Sequence, residues 1–448
     1  MCGIFLYVSK MVKNRGEAAH LWKTSGANGG NGNGGATVSA GGGVPLFLNV
    51  SRLWLEQEAL LARAFESFER RGPERSSYVK LHDPLEVRVG FHRLSIMDPT
   101  ANGDQPFVQT YVGNREGRSL NGLPVEECDD GQVPERPGRT HTLYVLCNGE
   151  IYNFKEVLRR HVLTNYVSSG SDCEVIPHLY TKFGVEAVIK QISGEFAFII
   201  VDVDQEGHAM TVHAARDPVG VRPLFWANDE RGLALCSELK GLVDVVRHPL
   251  PFPPGSIMSA RFTITDQTTL AEPEINWAQF YRCDYPAAPP VELSLLPQIY
   301  ARIREVFTTC VCERLMSDRP LGALLSGGLD SSLVAAIAAQ ELKKRSPDSH
   351  LRTFTIGMPG STDVKFAQIV ANHISSEHHV VELQAEDFLK AIPEVVYAIE
   401  SYDITTVRAS TGQFLVSKYI SANTDIKVSH PLNFDLWPRL NILTLSAV

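Results

Sequence analysis

Short apolar runs separated by turn residues fill the first half of the chain: "VRVGFHRLSIM" at 87–97, "HTLYVLCNGEI" at 141–151, "EFAFIIVDVD" at 195–204, "AMTVHAARD" at 209–217 and "GLALCSEL" at 232–239. Their length and flanking Gly, Asn and Asp predict strands. Two stretches instead carry the helical period, "WLEQEALLARAFESFERRG" at 54–72 and "CEVIPHLYTKFGVEAVIKQI" at 173–192. Strands with few helices between them predict layered sheets covered by helices. The pattern changes near 251–254, and the Pro-rich "YPAAPPVELS" at 285–294 reads as the end of a linker. Beyond it, apolar runs alternate in type: a helix from about 295 to 316, strand "PLGALLS", helix "SSLVAAIAAQELKKR", strand "LRTFTIGM", helix "DVKFAQIVANHIS", strand "HHVVEL" and a helix from near 385. Such alternation implies a parallel sheet with right-handed crossovers.

The expected organisation is therefore a first domain over 1–255, a linker over 256–294, a second domain over 295–428 and an unmatched tail over 429–448. Two segments interrupt the first domain. "GANGGNGNGGATVSAGGG", within an insertion near 22–52, and the polar stretch 111–140 both read as loops, too poor in periodic apolar positions to join a core.

At 448 residues, 44% hydrophobic and 21% charged, the chain is long enough for two cores, and its net charge of −9 disfavours nucleic acid or an anionic membrane as partner. It has no apolar run of membrane-spanning length, and its eight cysteines lack metal or redox spacing. Small-molecule substrates and a cytosolic location are expected; a homodimer stays open.

Two constellations carry chemistry. The first begins at "MCGIF": with Met1 removed, Cys2 would hold a thiol and a free α-amine on one carbon, and such an amine can accept the thiol proton near neutral pH. It gathers "RGPE" at 71–74, "FHRLSIMD" at 91–98, "CNGEIYN" at 147–153 and "SGSDCE" at 169–174. Singly, Arg93 reads as a surface cation, Asn148-Gly149 as a turn and Asp172 as a helix cap. Together they supply what amide hydrolysis requires: Asn148 and Gly149 as oxyanion donors, Arg93 for an α-carboxylate, and Asp172 with Glu150 for an α-ammonium.

These motifs, with "GEFAF" and "ARDPVGVRPLF", stand in the order found in class II glutamine amidotransferases, which the first half resembles. The resemblance implies an N-terminal-nucleophile fold, an α+β domain built as an αββα sandwich. In it Cys2 attacks glutamine, and Arg93, Leu94, Ser95, Ile96 and Met97 line the pocket with Asn148, Gly149, Glu150 and Asp172. Glu74 stands where that family usually has Asp.

The second constellation is "LLSGGLDSS" at 324–332, set between an apolar strand and an amphipathic helix. Gly327 and Gly328 allow close phosphate approach; Ser326, Ser331 and Ser332 offer hydroxyls at a helix start; Asp330 can hold a metal ion such as Mg2+. It lacks the Walker pattern and resembles the PP-loop of ATP pyrophosphatases, with Leu325, Ile356 and Gly357 near the nucleotide. An amidotransferase half followed by an α/β PP-loop half, with "TFTIGMPGSTD", "VANHISSEHHVVEL" and "ESYDITTVRAST", resembles the glutamine-dependent asparagine synthetase family. That implies aspartate, ATP and glutamine as substrates, with Thr405, Thr406 and Arg408 near the activated aspartate, although the bland reading of these residues is a capped helix start. Past Val428 the chain departs from the family's Ser-Gly-Glu-Gly-type loop. An uncoupled glutaminase and an inactive binding partner of an intact subunit therefore stay beside the synthetase reading.

Overall fold

A computed structural model describes residues 2–9, 46–81, 87–113, 139–206, 209–266, 269–270, 272–282 and 292–430. In chain order the elements are β1 (Gly3–Ser9), α1 (Leu46–Glu66), β2 (Arg75–Leu81), β3 (Val87–Arg93), β4 (Phe107–Gly113), β5 (Arg139–Ile151), α2 (Phe154–Arg160), α3 (Val175–Phe183), α4 (Val185–Gln191), β6 (Gly194–Asp204), β7 (Ala209–Arg216), β8 (Phe225–Asn228) and β9 (Gly232–Cys236). They continue through β10 (Leu250–Pro251), β11 (Ser256–Asp266), β12 (Thr269–Leu270) and β13 (Glu274–Gln279). The second domain follows: α5 (Leu296–Glu313), β14 (Leu321–Leu324), α6 (Leu329–Arg345), β15 (Arg352–Gly357), α7 (Thr362–Ile374), β16 (Glu377–Glu382), α8 (Ala385–Ile399), α9 (Ile404–Asn423) and β17 (Val428–His430).

Two antiparallel sheets stack face to face in the first domain. One runs β10-β8-β9-β1-β3-β2; the other runs β12-β11-β7-β6-β5-β4, with β13 added beside β11. Both faces of β1 are covered, which explains why its whole length is buried and apolar from Ile4 to Val8. Ile4, Leu6 and Val8 point into the core shared with Leu146, Ile199 and Val201 of the second sheet, while Phe5 and Tyr7 pack outward on Phe65 and Phe68. On the far side, α2 to α4 cover the second sheet through Val157, Val175, Ile176 and Leu179. The layers read helix, sheet, sheet, helix.

Four expectations change. Residues 256–294 are not a linker throughout, since β11 pairs with β7 and β13 with β11, so the first domain runs on to Gln279. The two insertions are narrower than drawn: 46–52 belong to α1, and the ends of 111–140 belong to β4 and β5, paired from Phe107↔Val145 to Gly113↔Arg139. The central parts, 22–45 and 114–138, lie outside the described residues. The helical period over 173–192 is two helices, because Gly184 takes φ +83°, a left-handed conformation that stops α3 and restarts the chain as α4. Finally, Ser429 and His430 are not outside the fold: they pair with Gly322 and Ala323 as β17, and 431–448 lie outside the described residues.

The second domain is a parallel sheet in the order β16-β15-β14-β17. One face packs Ala335, Ala338 and Ala339 of α6 and Ala367 and Ala371 of α7; the other packs Val416 and Ile420 of α9 on Phe354. Small alanines let the helices approach the sheet closely, and both faces of its strands are thereby covered. No described helix is long and apolar enough to cross a membrane.

Candidate active sites

Cys2 precedes β1, and the chain around it is pinned from three sides. The Arg71 guanidinium donates from Nε to the Cys2 carbonyl at 3.0 Å and from Nη1 to Glu238 at 3.1 Å; Ser237 exchanges two bonds with Ile4, each 3.0 Å. The Cys2 thiol donates to the Leu94 carbonyl at 3.5 Å. Desolvation pushes that thiol above its ordinary value, against the pull of the N-terminal charge, so at rest it is protonated. Gly3 and Gly72 are required by close approach: a Cβ at Gly3 would lie 2.7 Å from the Phe68 ring, and one at Gly72 2.3 Å from the His92 backbone.

Asn148 and Gly149 lie in β5 rather than in a turn. Asn148 is fully buried, and neither its Nδ2 nor its Oδ1 has a hydrogen-bond partner among the described residues. An orphaned amide of this kind costs about 1–3 kcal/mol and therefore points to a use. Alternate residues of a strand turn their N–H to opposite edges. Cys147 N–H meets Gln105 Oε1 at 2.6 Å and Ile151 N–H meets Asp172 Oδ2 at 2.6 Å, so the Gly149 N–H lies on that same edge between them. No larger residue fits there, since a Cβ would come 2.1 Å from the Glu195 carbonyl.

Asp172 is not a helix cap. It is buried against the Ile151 N–H, and desolvation, opposed by that bond and aided by Glu150, pushes it up to about 7. Glu150 pairs with Arg222, which also reaches Glu195 at 3.5 Å; Glu195 in turn pairs with Arg314 at 2.8 Å. Arg93 is buried, not a surface cation. Its Nη1 donates to the Thr100 carbonyl and Asp104 Oδ1, both at 2.6 Å, and its Nη2 to the carbonyls of Met97 and Asp98. It thus braces the turn that follows Leu94, Ser95, Ile96 and Met97.

The second site opens at the carboxyl end of β14. Gly327 takes φ +79°, and a Cβ there would lie 2.5 Å from the Ala367 nitrogen. Ser326 and Ser331 share a hydroxyl contact of 2.9 Å, and the Ser332 hydroxyl donates to the Gly328 carbonyl at 2.6 Å, so the loop is held by its own serines. Gly328 is the N-cap of α6 and has no side-chain cap bond, leaving the helix amino end for a ligand. Asp330 is exposed in its first turn. The Leu325 N–H donates to the Phe354 carbonyl at 2.7 Å, which aligns the buried Leu325 and its loop with Ile356 and Gly357 at the end of β15.

At α9 the three residues separate. Thr406 is buried, and its N–H and hydroxyl both meet Asp403 Oδ2, at 2.9 and 2.7 Å; it is part of the helix cap. Thr405 and Arg408 are exposed. Among the described residues no cluster of three or more His, Cys, Asp or Glu could hold a metal ion.

Sequence reasoning missed Arg71, Arg222, Glu195 and Glu238. Arg71 and Arg222 sit inside the quoted "RGPE" and "ARDPVGVRPLF", so the signal was present as a motif but not as a role.

Both halves of the chain match known proteins. A glutamine amidotransferase domain model matches residues 121–244, and an asparagine synthase model matches 302–429. The chain is 36% identical over 366 residues to the glutamine-hydrolysing asparagine synthetase of Cricetulus griseus, covering 79% of this chain and 59% of that one. It is 36% identical over 369 residues to that of Homo sapiens, with the same coverage, and 37% over 360 residues to asparagine synthetase 2 of Arabidopsis thaliana, covering 79% and 52%. The chain therefore spans about 59% of the length of the first of these relatives. The chain thus carries a glutamine amidotransferase domain followed by an asparagine synthase domain, and it resembles the glutamine-hydrolysing asparagine synthetases at 36% identity over 79% of its length.

Proposed function

We propose that the chain makes asparagine from aspartate, ATP and glutamine. The observation that carries the glutaminase half is the buried, unpartnered amide of Asn148 beside the Gly149 N–H, on a strand edge near a protonated cysteine. With Met1 removed, the Cys2 α-amine takes the thiol proton and Sγ attacks the glutamine amide carbon. Asn148 Nδ2–H and the Gly149 N–H stabilise the oxyanion; the C–N bond then breaks, the proton leaves with ammonia, and water releases glutamate from the thioester. The ionised Asp172 pairs with the substrate ammonium, and Arg93 fixes the loop against which its carboxylate lies. The sandwich of two antiparallel sheets beginning at Cys2 supports an N-terminal-nucleophile reading of this half.

In the second half, the β-carboxylate of aspartate attacks the α-phosphorus of ATP and pyrophosphate leaves, so that ammonia can displace AMP from the acyl adenylate. Gly327, Gly328, Ser326, Ser331 and Ser332 would cradle the phosphates at the α6 amino end, with Leu325, Ile356 and Gly357 beside the nucleoside. Mg2+ binds by one or two carboxylates plus phosphate oxygens, and the single exposed Asp330 fits that mode; the ion would offset phosphate charge. Exposed Thr405 and Arg408 are the groups available to aspartate.

A second reading, glutamine hydrolysis without coupling, is favoured by apolar side chains around this site: Leu329, Tyr402 and Ile404 are each more than 80% exposed. One reaction with glutamine, aspartate, ATP and magnesium separates the two. Equal asparagine and pyrophosphate, with glutamate at least matching them and all lost in Cys2→Ala, is the expected result. Glutamate alone would establish the uncoupled reading, and glutamate persisting in Cys2→Ala would overturn the nucleophile.

A further inference from the structure

The loop that follows β3 has no regular structure, yet Ser95 and Ile96 are buried, so their backbone groups need partners from elsewhere. For their two carbonyls these come from two residues of the second domain. The Asp318 N–H donates to the Ile96 carbonyl at 3.0 Å, and Asp318 Oδ2 accepts from the Asp98 N–H at 2.8 Å. Arg319 donates from Nε to the Ser95 carbonyl at 3.2 Å and from Nη2 to both oxygens of Glu74, at 3.2 and 3.4 Å. Glu74 closes the set by accepting from the Ser95 N–H at 3.0 Å. Although burial opposes it, these donors hold the Glu74 carboxyl below its usual range.

We infer that Asp318 and Arg319 are positioning residues for glutamine: the segment leading into β14 fixes residues 95–98 of the loop that lines the amide-hydrolysis pocket. This rests on the glutaminase reading above. The two residues bond Glu74, Ser95, Ile96 and Asp98, beyond the Leu94 carbonyl that meets the Cys2 thiol, and they bond none of Cys2, Asn148 and Gly149, which are held within the first domain. The clamp should therefore act on substrate binding and leave the chemical step alone. The clamp also spans the domains in one covalent step, because Arg319 is followed by Pro320 and then by β14, whose end carries the phosphate loop.

The test is steady-state glutamate release by the full chain. Arg319→Ala should raise the glutamine KM about tenfold with kcat within threefold of wild type, and Arg319→Lys should recover part of the loss, since an ammonium can meet Glu74 but lacks the fork that also meets Ser95. Combining Arg319→Ala with Glu74→Ala should raise KM no further than the worse single change, because the two groups act together. Arg70→Ala, which breaks a separate cross-domain pair with Glu394 at 3.3 Å, should leave both constants unchanged. A wild-type KM in a folded Arg319→Ala protein, a fall in kcat at constant KM, or additivity with Glu74→Ala would overturn the inference. Should Arg319→Ala fail to fold, the KM of Arg319→Lys decides alone, and an unchanged value overturns it. A wild-type chain that releases no glutamate, or a Cys2→Ala chain that still does, would remove the glutaminase reading and the inference with it; a dead Cys2→Ala beside an unaltered Arg319→Ala would remove the inference only.

Discussion

The two sites are built on opposite economies of hydrogen bonding. Around Cys2 nearly every group is buried and spoken for, by Arg71, Ser237, Gln105 and the pairs of Arg222 with Glu150 and Glu195, which makes the unpartnered Asn148 amide stand out. Around 326–332 the serines bond one another or the loop backbone, Asp330 is exposed, and the helix amino end has no cap. On the proposed reading, burial preorganises the first site for attack on a neutral amide, while the second offers an uncapped helix end to charged phosphates. A buried site fails when one donor is removed, whereas an open one fails when its backbone cannot take the required turn.

The sharpest test of that contrast is Asn148→Ala. Loss of a single buried donor should lower kcat for glutamate release by about 10²–10³, with the glutamine KM little changed. If kcat survives, the orphaned amide has no catalytic use. Next in size is Gly327→Ala, where the positive φ and the nearby Ala367 nitrogen leave no room for a Cβ. It should destabilise the second domain by about 1–3 kcal/mol and abolish ATP-dependent pyrophosphate formation while glutamate release continues. Parallel loss of both activities would mean that the two sites are not separable as drawn.

A smaller effect is expected from pH. Asp172 is raised to about 7 by burial, so below that value it is neutral and cannot pair with the substrate ammonium. The glutamine KM should rise as pH falls through about 7 and level off above it, and Asp172→Asn should raise KM at pH 8 and remove the slope. The sign for stability is opposite: the folded state holds the proton more tightly than the unfolded one, so this group's contribution to stability of the ligand-free protein is lost as pH rises from about 4 to 7. A glutamine KM that is flat across this range would take Asp172 out of the pocket. Smallest is Asp403→Ala, which removes the bonds to Thr406 and should cost about 1 kcal/mol by thermal unfolding. Thr406→Val should likewise leave the aspartate KM near wild type, whereas Arg408→Ala should raise it; equal effects would return Thr406 to the substrate.

The second domain was the more legible of the two. Its strands and helices alternate with clear periods, and observed ends such as Arg352–Gly357 and Thr362–Ile374 fall within a residue or so of the apolar runs. In the first domain, strand identity was readable but extent was not. The polar "ERSSYVKL" concealed β2, whose residues are mostly exposed or half-buried, and the Pro-rich tail of the domain concealed β11 and β13, which belong to the sandwich because they find partners in space.

What the amino-acid sequence determined by itself is the chemistry: a cysteine at the start, an Asn-Gly pair, and a glycine-serine loop at the head of a helix, each a local property of residue type and order. What only the tertiary structure decided is how those groups are used. Asn148 is unpartnered because β5 turns it into a dry interior, Asp172 is raised because burial and the nearby Glu150 outweigh its bond from the Ile151 N–H, Arg93 braces a turn through carbonyls that follow it, and Thr406 is consumed by its own helix cap. Hydrogen-bond satisfaction and desolvation depend on every neighbour within a few ångströms, and those neighbours come from distant parts of the chain, as Arg319 comes to Glu74 and Ser95.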